Sequence, residues 1–259
     1  VSVQRHRQDR RGPSAGLIGG GLLVVAVIGG LVAASVTWRA PMPGSRPDPE
    51  SGDWAMSTPA LTADPSIGVF FTPEGQRLCT GSVVRSPQRN MVATAAHCVP
   101  DGEFLFVPSY HDGQRPLGVW RVVARFVDER WTDEEDENFD VAFLQVADVS
   151  GSRRIEDVTG SHEPVFDTGF EHQIRMTGYP ADKENPVVCE TRTSQQDEFQ
   201  LRIDCEGFTT GTSGGPLLSG GKLVGVIGGY EGGGDTADVS YSAYFSAAIG
   251  KLYARAASA

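Results

Sequence analysis

Lysine is almost missing from this chain of 259 residues, where Lys183, Lys222 and Lys251 are the only three. Acids outnumber bases 33 to 22, for a net charge of −11. Residues 1–39 hold five arginines and one acid, Asp9, a balance of +4, which leaves residues 40–259 at −15. A body so poor in basic side chains excludes a nucleic-acid partner, whose phosphates need a positive surface. Cysteine is sparse too: Cys79, Cys98, Cys189 and Cys205. None falls in a C-x-x-C pair, which excludes the common zinc and dithiol motifs, and four cysteines leave three possible pairings. No metal and no organic cofactor is expected. The chain also lacks any repeat of fixed short period, and no histidine follows His172.

Charge is absent between Arg11 and Arg39. Within that gap Gly16–Val36 is apolar or small at almost every position. At about 1.5 Å per residue such a stretch crosses a hydrocarbon core of ~30 Å. It is longer than the ~7–15-residue apolar region of a secretory signal. The basic flank of Arg5, Arg7, Arg10 and Arg11 fits the positive-inside rule. Residues 16–38 are therefore expected to be a transmembrane anchor, with a cleaved signal ending near Ala33-Ala34-Ser35 as the alternative. Either way the rest of the chain lies on the extracellular face of the membrane or is secreted, where disulfides form. Residues 1–15 are the basic N-terminal segment. Residues 39–61, with Pro41, Pro43, Pro47, Pro49 and Pro59, read as a semi-extended linker. Residues 62–259 are expected to fold as one domain.

Short β-patterned runs dominate that domain. In Val119–Val127, Trp120, Val122, Ala124 and Phe126 alternate with Val119, Arg121, Val123 and Arg125, which is the period of a strand. Asp140–Val146, Gln173–Tyr179 and Leu223–Tyr230 are similar. Only the end of the chain reads as helix, where Ile249, Leu252, Tyr253 and Ala256 keep i, i+3, i+4, i+7 spacing. Many short strands and one terminal helix predict an all-β double barrel or sandwich.

Three segments carry chemistry. Ser213 sits in Gly211-Thr212-Ser213-Gly214-Gly215-Pro216. A serine hydroxyl is a weak nucleophile that needs an adjacent base. Glycines around it permit a tight turn and leave amide N–H groups free to meet a developing oxyanion. The same residues fit G-x-S-x-G, the nucleophile elbow of α/β-hydrolases. That fold needs a histidine after the serine and a helix directly behind it; here the last histidine is His172, and Pro216 and a β-like run follow. The usable order is instead His97, Asp140, Ser213. The subtilisin order would need a carboxylate before His97, and Asp48, Asp53 and Asp64 fall in or beside the linker. His97 lies in Thr94-Ala95-Ala96-His97-Cys98, where small neighbours let the ring reach across a cleft. Asp140 opens an apolar run after an acidic stretch, 128–137, that reads as a solvated loop. Enclosed by Phe139 and Val141-Ala142-Phe143-Leu144, its carboxylate needs a partner. The Nδ1–H of His97 would serve and would be held in the right tautomer.

With these motifs the chain resembles the trypsin/chymotrypsin-like serine proteases. The matching pieces are Cys79-Thr80-Gly81-Ser82-Val83-Val84, Thr94-Ala95-Ala96-His97-Cys98, Asp140-Val141-Ala142-Phe143-Leu144, Gly211-Thr212-Ser213-Gly214-Gly215-Pro216-Leu217 and Leu223-Val224-Gly225-Val226-Ile227, so the resemblance covers about residues 66–256. It implies two six-stranded antiparallel β-barrels with the site between them, and a serine endopeptidase acting on a peptide or protein. It implies His97 as general base, Asp140 as its orienter, Ser213 as nucleophile, and an oxyanion hole from the amides of Gly211 and Ser213. It implies the disulfide Cys79–Cys98 beside His97, which leaves Cys189–Cys205.

Where animal digestive members carry Asp before the nucleophile, this chain has Thr212, and no activation sequence precedes Ser66-Ile67-Gly68-Val69. The chain looks closer to secreted bacterial members, including the glutamyl-endopeptidase-like group. By the same resemblance the specificity pocket is walled by residues near 207–210, 228–230 and 242–244, with Phe208 and Tyr230 narrowing it, and with Glu206 read as a solvated turn residue or, as the alternative, an attractor for a basic side chain. No cleavage preference is assigned. A monomer is expected. The rival reading is a latent enzyme or a non-catalytic binding domain on the same fold.

Overall fold

The computed structural model describes residues 55–59 and 64–259. The expected basic segment 1–15, the membrane segment 16–38 and most of the linker 39–61 lie outside the described residues. Among the described residues no helix is long and apolar enough to cross a membrane.

Two short strands come first, β1 (Ala55–Met56) and β2 (Thr58–Pro59). Six strands then form a closed antiparallel barrel: β3 (Ile67–Phe71), β4 (Arg77–Val84), β5 (Met91–Thr94), β6 (Leu105–Pro108), β7 (Trp120–Val127) and β8 (Ala142–Asp148), in the order β3-β4-β5-β8-β7-β6. The alternation read along 119–127 holds in β7, where Arg121, Val123 and Arg125 are exposed and the residues between them turn inward. Phe70 centres this barrel, with ring centroids 5.4 Å from Phe104 and 5.0 Å from Phe106.

The acidic stretch departs from the expected loop. It forms a short helix, α1 (Glu129–Glu134), because Asp128 caps it by accepting from the Arg130 amide and Glu129 adds charge at its N-terminus. The hydrogen bond from the Arg130 side chain holds the Asp128 carboxyl below its ordinary pKa, so the cap stays ionised. A further short helix, α2 (Ile155–Thr159), and the strand β9 (Glu163–Pro164) link the two halves. Both helices are too short to show a helical period in the sequence.

The second half contains β10 (Gln173–Gly178), β11 (Val187–Gln195), β12 (Gln200–Glu206), β13 (Pro216–Ser219), β14 (Lys222–Val226) and β15 (Val239–Ala243). Their order is β15-β12-β11-β10-β13-β14. The expected two-barrel fold is present, and the two barrels close differently. The first barrel is closed by ladders throughout, whereas β14 meets β15 through the Val226 amide on Ser242 Oγ at 3.1 Å, and just beyond β14 the Gly228 amide donates to the Tyr241 carbonyl at 3.0 Å. Gly225 permits that approach, since a Cβ there would stand 2.5 Å from Ser242 Oγ. Three short strands add to this sheet: β1 lies parallel to β12, β2 antiparallel to β11, and β9 parallel to β14. Residues 55–59, inside the expected linker, are thus paired with the folded domain.

The terminal helix is α3 (Ala247–Ser258), which buries Ile249, Leu252 and Ala256. Tyr253 is half-buried, with its ring 5.4 Å from Phe143 and 5.7 Å from Phe166. The helix therefore seals one barrel with the face that its spacing predicts.

Both disulfides join strands to neighbouring loops or strands. Cys79 bonds Cys98 across 19 positions, and Cys189 bonds Cys205 across 16. Loop entropy gives each a contribution of about 3 kcal/mol. Full reduction is expected to lower the thermal midpoint sharply. An unchanged midpoint after all four thiols react with a thiol reagent would contradict this.

Candidate active site

β5 ends at Thr94, and the chain turns through Ala95 into a single 3-10 turn, Ala96–Cys98, that carries His97. Three things fix the turn. Cys98 is bonded to Cys79 of β4, Thr94 Oγ1 donates to the Thr80 carbonyl at 2.8 Å, and Ala95 and Ala96 are buried. Larger side chains at those two positions would displace the turn from the barrel wall.

Asp140 ends the turn that follows α1 and sits just before β8. It is fully buried at 0%, so its charge needs donors. Three N–H groups supply them. The His97 amide donates to Oδ1 at 2.8 Å, His97 Nδ1 to Oδ2 at 2.7 Å, and the Gly229 amide to Oδ2 at 2.8 Å. An ionised carboxylate only accepts, so the proton between the two side chains belongs to Nδ1. The other ring nitrogen, Nε2, then carries the lone pair of the neutral imidazole. The His97 side chain is 26% exposed and lines the cleft described next.

Ser213 lies between β12 and β13 in a loop shaped by glycine. Gly211 has φ +95°, and a Cβ there would stand 2.7 Å from the Tyr179 carbonyl. Gly214 has φ +77°, and a Cβ there would fall on Thr94 Oγ1 and the Thr80 carbonyl. Thr80 anchors the loop to the first barrel: its amide donates to the Ser213 carbonyl at 2.8 Å and its hydroxyl to the Gly211 carbonyl at 2.9 Å. Within the loop the amides of Thr212, Gly214 and Gly215 have acceptors in Thr209, Ile227 and Thr212. Among the described residues the amides of Gly211 and Ser213 have none. Two free donors beside a serine, in a concave site, are what a developing oxyanion requires. Thr212 itself is buried and donates through Oγ1 to the Thr209 carbonyl at 2.7 Å, so its side chain is satisfied locally.

His97, Gly211 and Ser213 line one cleft of about 560 Å³. The structure joins His97 to Asp140 by hydrogen bonds and places Ser213 across the same cleft, with no hydrogen bond between Ser213 and His97. Such a nucleophile–base contact commonly tightens only when substrate is bound.

The walls differ in part from those expected. Phe208, Thr209 and Thr210 form one side as anticipated, but Gly232–Ala237 and Ser240 form the other. Tyr230 is turned away, its ring 5.0 Å from that of Tyr241. Positive φ at Gly229, Gly232, Gly233 and Gly234 brings the loop over the cleft, and that path has no periodic signal in the sequence. Glu206 does not line the cleft. Its carbonyl accepts from Ser57, which ties β1 to the strand leading into the Ser213 loop. Cys79, His97 and Cys98 place donor atoms within 4.8 Å of one another, but both sulfurs are spent in the disulfide and offer no thiolate to a metal.

Residues 79–226 match the family model of the trypsin-like peptidase domain. No curated protein matches the sequence. Among solved structures, the protease Anisep from Arthrobacter nicotinovorans is 28% identical with a TM-score of 0.69, covering 78% of this chain and 100% of its own. A thermostable serine protease, AL20, from an extremophilic microorganism is 25% identical with a TM-score of 0.66, covering 75% and 98%. A Glu endopeptidase, 19% identical with a TM-score of 0.65 and covering 80% and 99%, shares the fold.

Proposed function

The chain belongs to the trypsin-like peptidase family and is a serine endopeptidase, and from that premise we propose how its residues divide the reaction. Ser213 Oγ attacks the carbonyl carbon of a peptide bond while His97 Nε2 takes its proton. Asp140 keeps Nδ1 protonated and stabilises the imidazolium that forms. The amides of Gly211 and Ser213 bind the carbonyl oxygen as it gains negative charge. His97 then gives its proton to the departing amine. Water, activated by the same Nε2, hydrolyses the acyl group from Ser213 and restores the enzyme.

The observation that carries this reading is the buried Asp140, held by three N–H donors and bonded to a His97 whose other nitrogen shares a cleft with Ser213. No step calls on a metal or an organic cofactor. The two disulfides fit an extracellular location.

A second reading, a latent enzyme, is favoured by one observation, the absence of a hydrogen bond between Ser213 and His97. A fluorophosphonate probe separates the two. The oxidised protein is expected to label covalently, and the Ser213→Ala variant is expected not to. Absence of labelling on the folded, oxidised protein would overturn the active-enzyme reading in favour of latency.

A further inference from the structure

Gln200, the first residue of β12, is 1% exposed. A buried carboxamide has two donors and an acceptor to satisfy. Each is taken up by a turn that touches Asp140. Nε2 donates to the Glu137 carbonyl at 3.1 Å and to Asn138 Oδ1 at 2.9 Å. The same Glu137 carbonyl accepts from the Asp140 amide at 3.3 Å. On the other side the Tyr230 amide donates to Gln200 Oε1 at 3.1 Å. Tyr230 follows Gly229, whose amide donates to the Asp140 carboxylate. One side chain of the second sheet thus ties the turn that carries Asp140 to the turn that hydrogen-bonds it.

The fit is close. A Cβ on Gly229 would fall on Gln200 Oε1. The orientation of the amide follows from its partners, because a reversed group would set its oxygen against two acceptors and its nitrogen against a donor. The Glu231 amide on Glu137 Oε1, at 2.9 Å, clips the same two turns together nearer the surface. The turns therefore keep a second link when the glutamine is altered.

We infer that Gln200 is a positioning residue for the reaction, aiming Asp140 and, through it, His97, without touching substrate. The inference rests on the roles given above to Asp140 and His97. Methionine at this position fills the space but leaves the Tyr230 amide without an acceptor and removes both donors. The Gly229 peptide, at φ +78° and with no side chain to hold it, then loses the contact that fixes its direction.

In Gln200→Met, kcat is expected to fall about ten- to a hundredfold with KM changed by no more than about twofold. The far-downfield proton resonance of the His97 Nδ1–H, which reports its hydrogen bond to Asp140, is expected to broaden or vanish while circular dichroism stays native. If the methionine variant does not fold, Gln200→Glu carries the test. It keeps the shape and the acceptor for Tyr230 but has at most one donor, an O–H, for the two acceptors at Glu137 and Asn138, and the same split and the same spectral change are expected. Native kcat and an unchanged resonance in a folded variant would overturn the inference. Absent hydrolysis by the unaltered protein would strike the endopeptidase reading instead, and the resonance, which needs no turnover, would still decide the role of Gln200.

Discussion

Replacing Asp140 by Asn is expected to lower kcat by roughly 10⁴-fold, the scale of the same substitution in the Ser-His-Asp template. The size follows from the donor count. Asp140 accepts from the His97 amide, from His97 Nδ1 and from the Gly229 amide, and neither carboxylate oxygen is spare. Asparagine has one carbonyl oxygen and one NH₂ group. Whichever way it turns, its NH₂ confronts at least one of those N–H groups. If it faces the ring, Nδ1 must become the acceptor, the ring proton moves to Nε2, and no lone pair is left for Ser213. The near-isosteric change leaves the volume intact, so the melting transition should remain cooperative while turnover collapses. A variant within tenfold of the native rate would remove Asp140 from the mechanism.

Gly214→Ala is expected to cost about 3–5 kcal/mol and to abolish labelling, because left-handed strain and overpacking act together. The residue has φ +77°, and its Cβ would fall on Thr94 Oγ1 and the Thr80 carbonyl. Neither neighbour can move freely. Thr94 Oγ1 donates to that same carbonyl, and the Thr80 amide holds the Ser213 carbonyl. Gly220→Ala is the control. It too has positive φ, +56°, but nothing lies within 4 Å of its Cβ. Only the backbone term applies, and about 1 kcal/mol is expected. Urea unfolding of the two variants checks the difference, and equal losses would mean that the packing around Gly214 yields.

The legible parts of this molecule were those written in short segments. The alternation of Trp120, Val122, Ala124 and Phe126 marks a strand because a pleat repeats every two residues. The spacing of Ile249, Leu252 and Ala256 marks the helix for the analogous reason. His97, Asp140 and Ser213 stand out because each sits in a motif of five or six residues. The Gly229 amide and the Gln200 side chain do not stand out. They serve Asp140 from 89 and 60 positions away along the chain, by contacts that exist only after both halves have folded. The wall at Gly232–Ala237 was illegible for another reason. Its course is set by successive positive-φ glycines, and glycine tolerates several paths equally well.

The bond between Cys79 and Cys98 also bears on how His97 is held. It closes the stretch that includes Thr94, Ala95, Ala96 and His97, so part of what seats the proposed general base is a bond made only by oxidation. Under reducing conditions the turn that carries His97 keeps the hydrogen bond from Thr94 Oγ1 and the packing of Ala95 and Ala96 but loses its covalent tie. The same cross-link that stiffens the barrel therefore makes the seating of His97 sensitive to redox conditions.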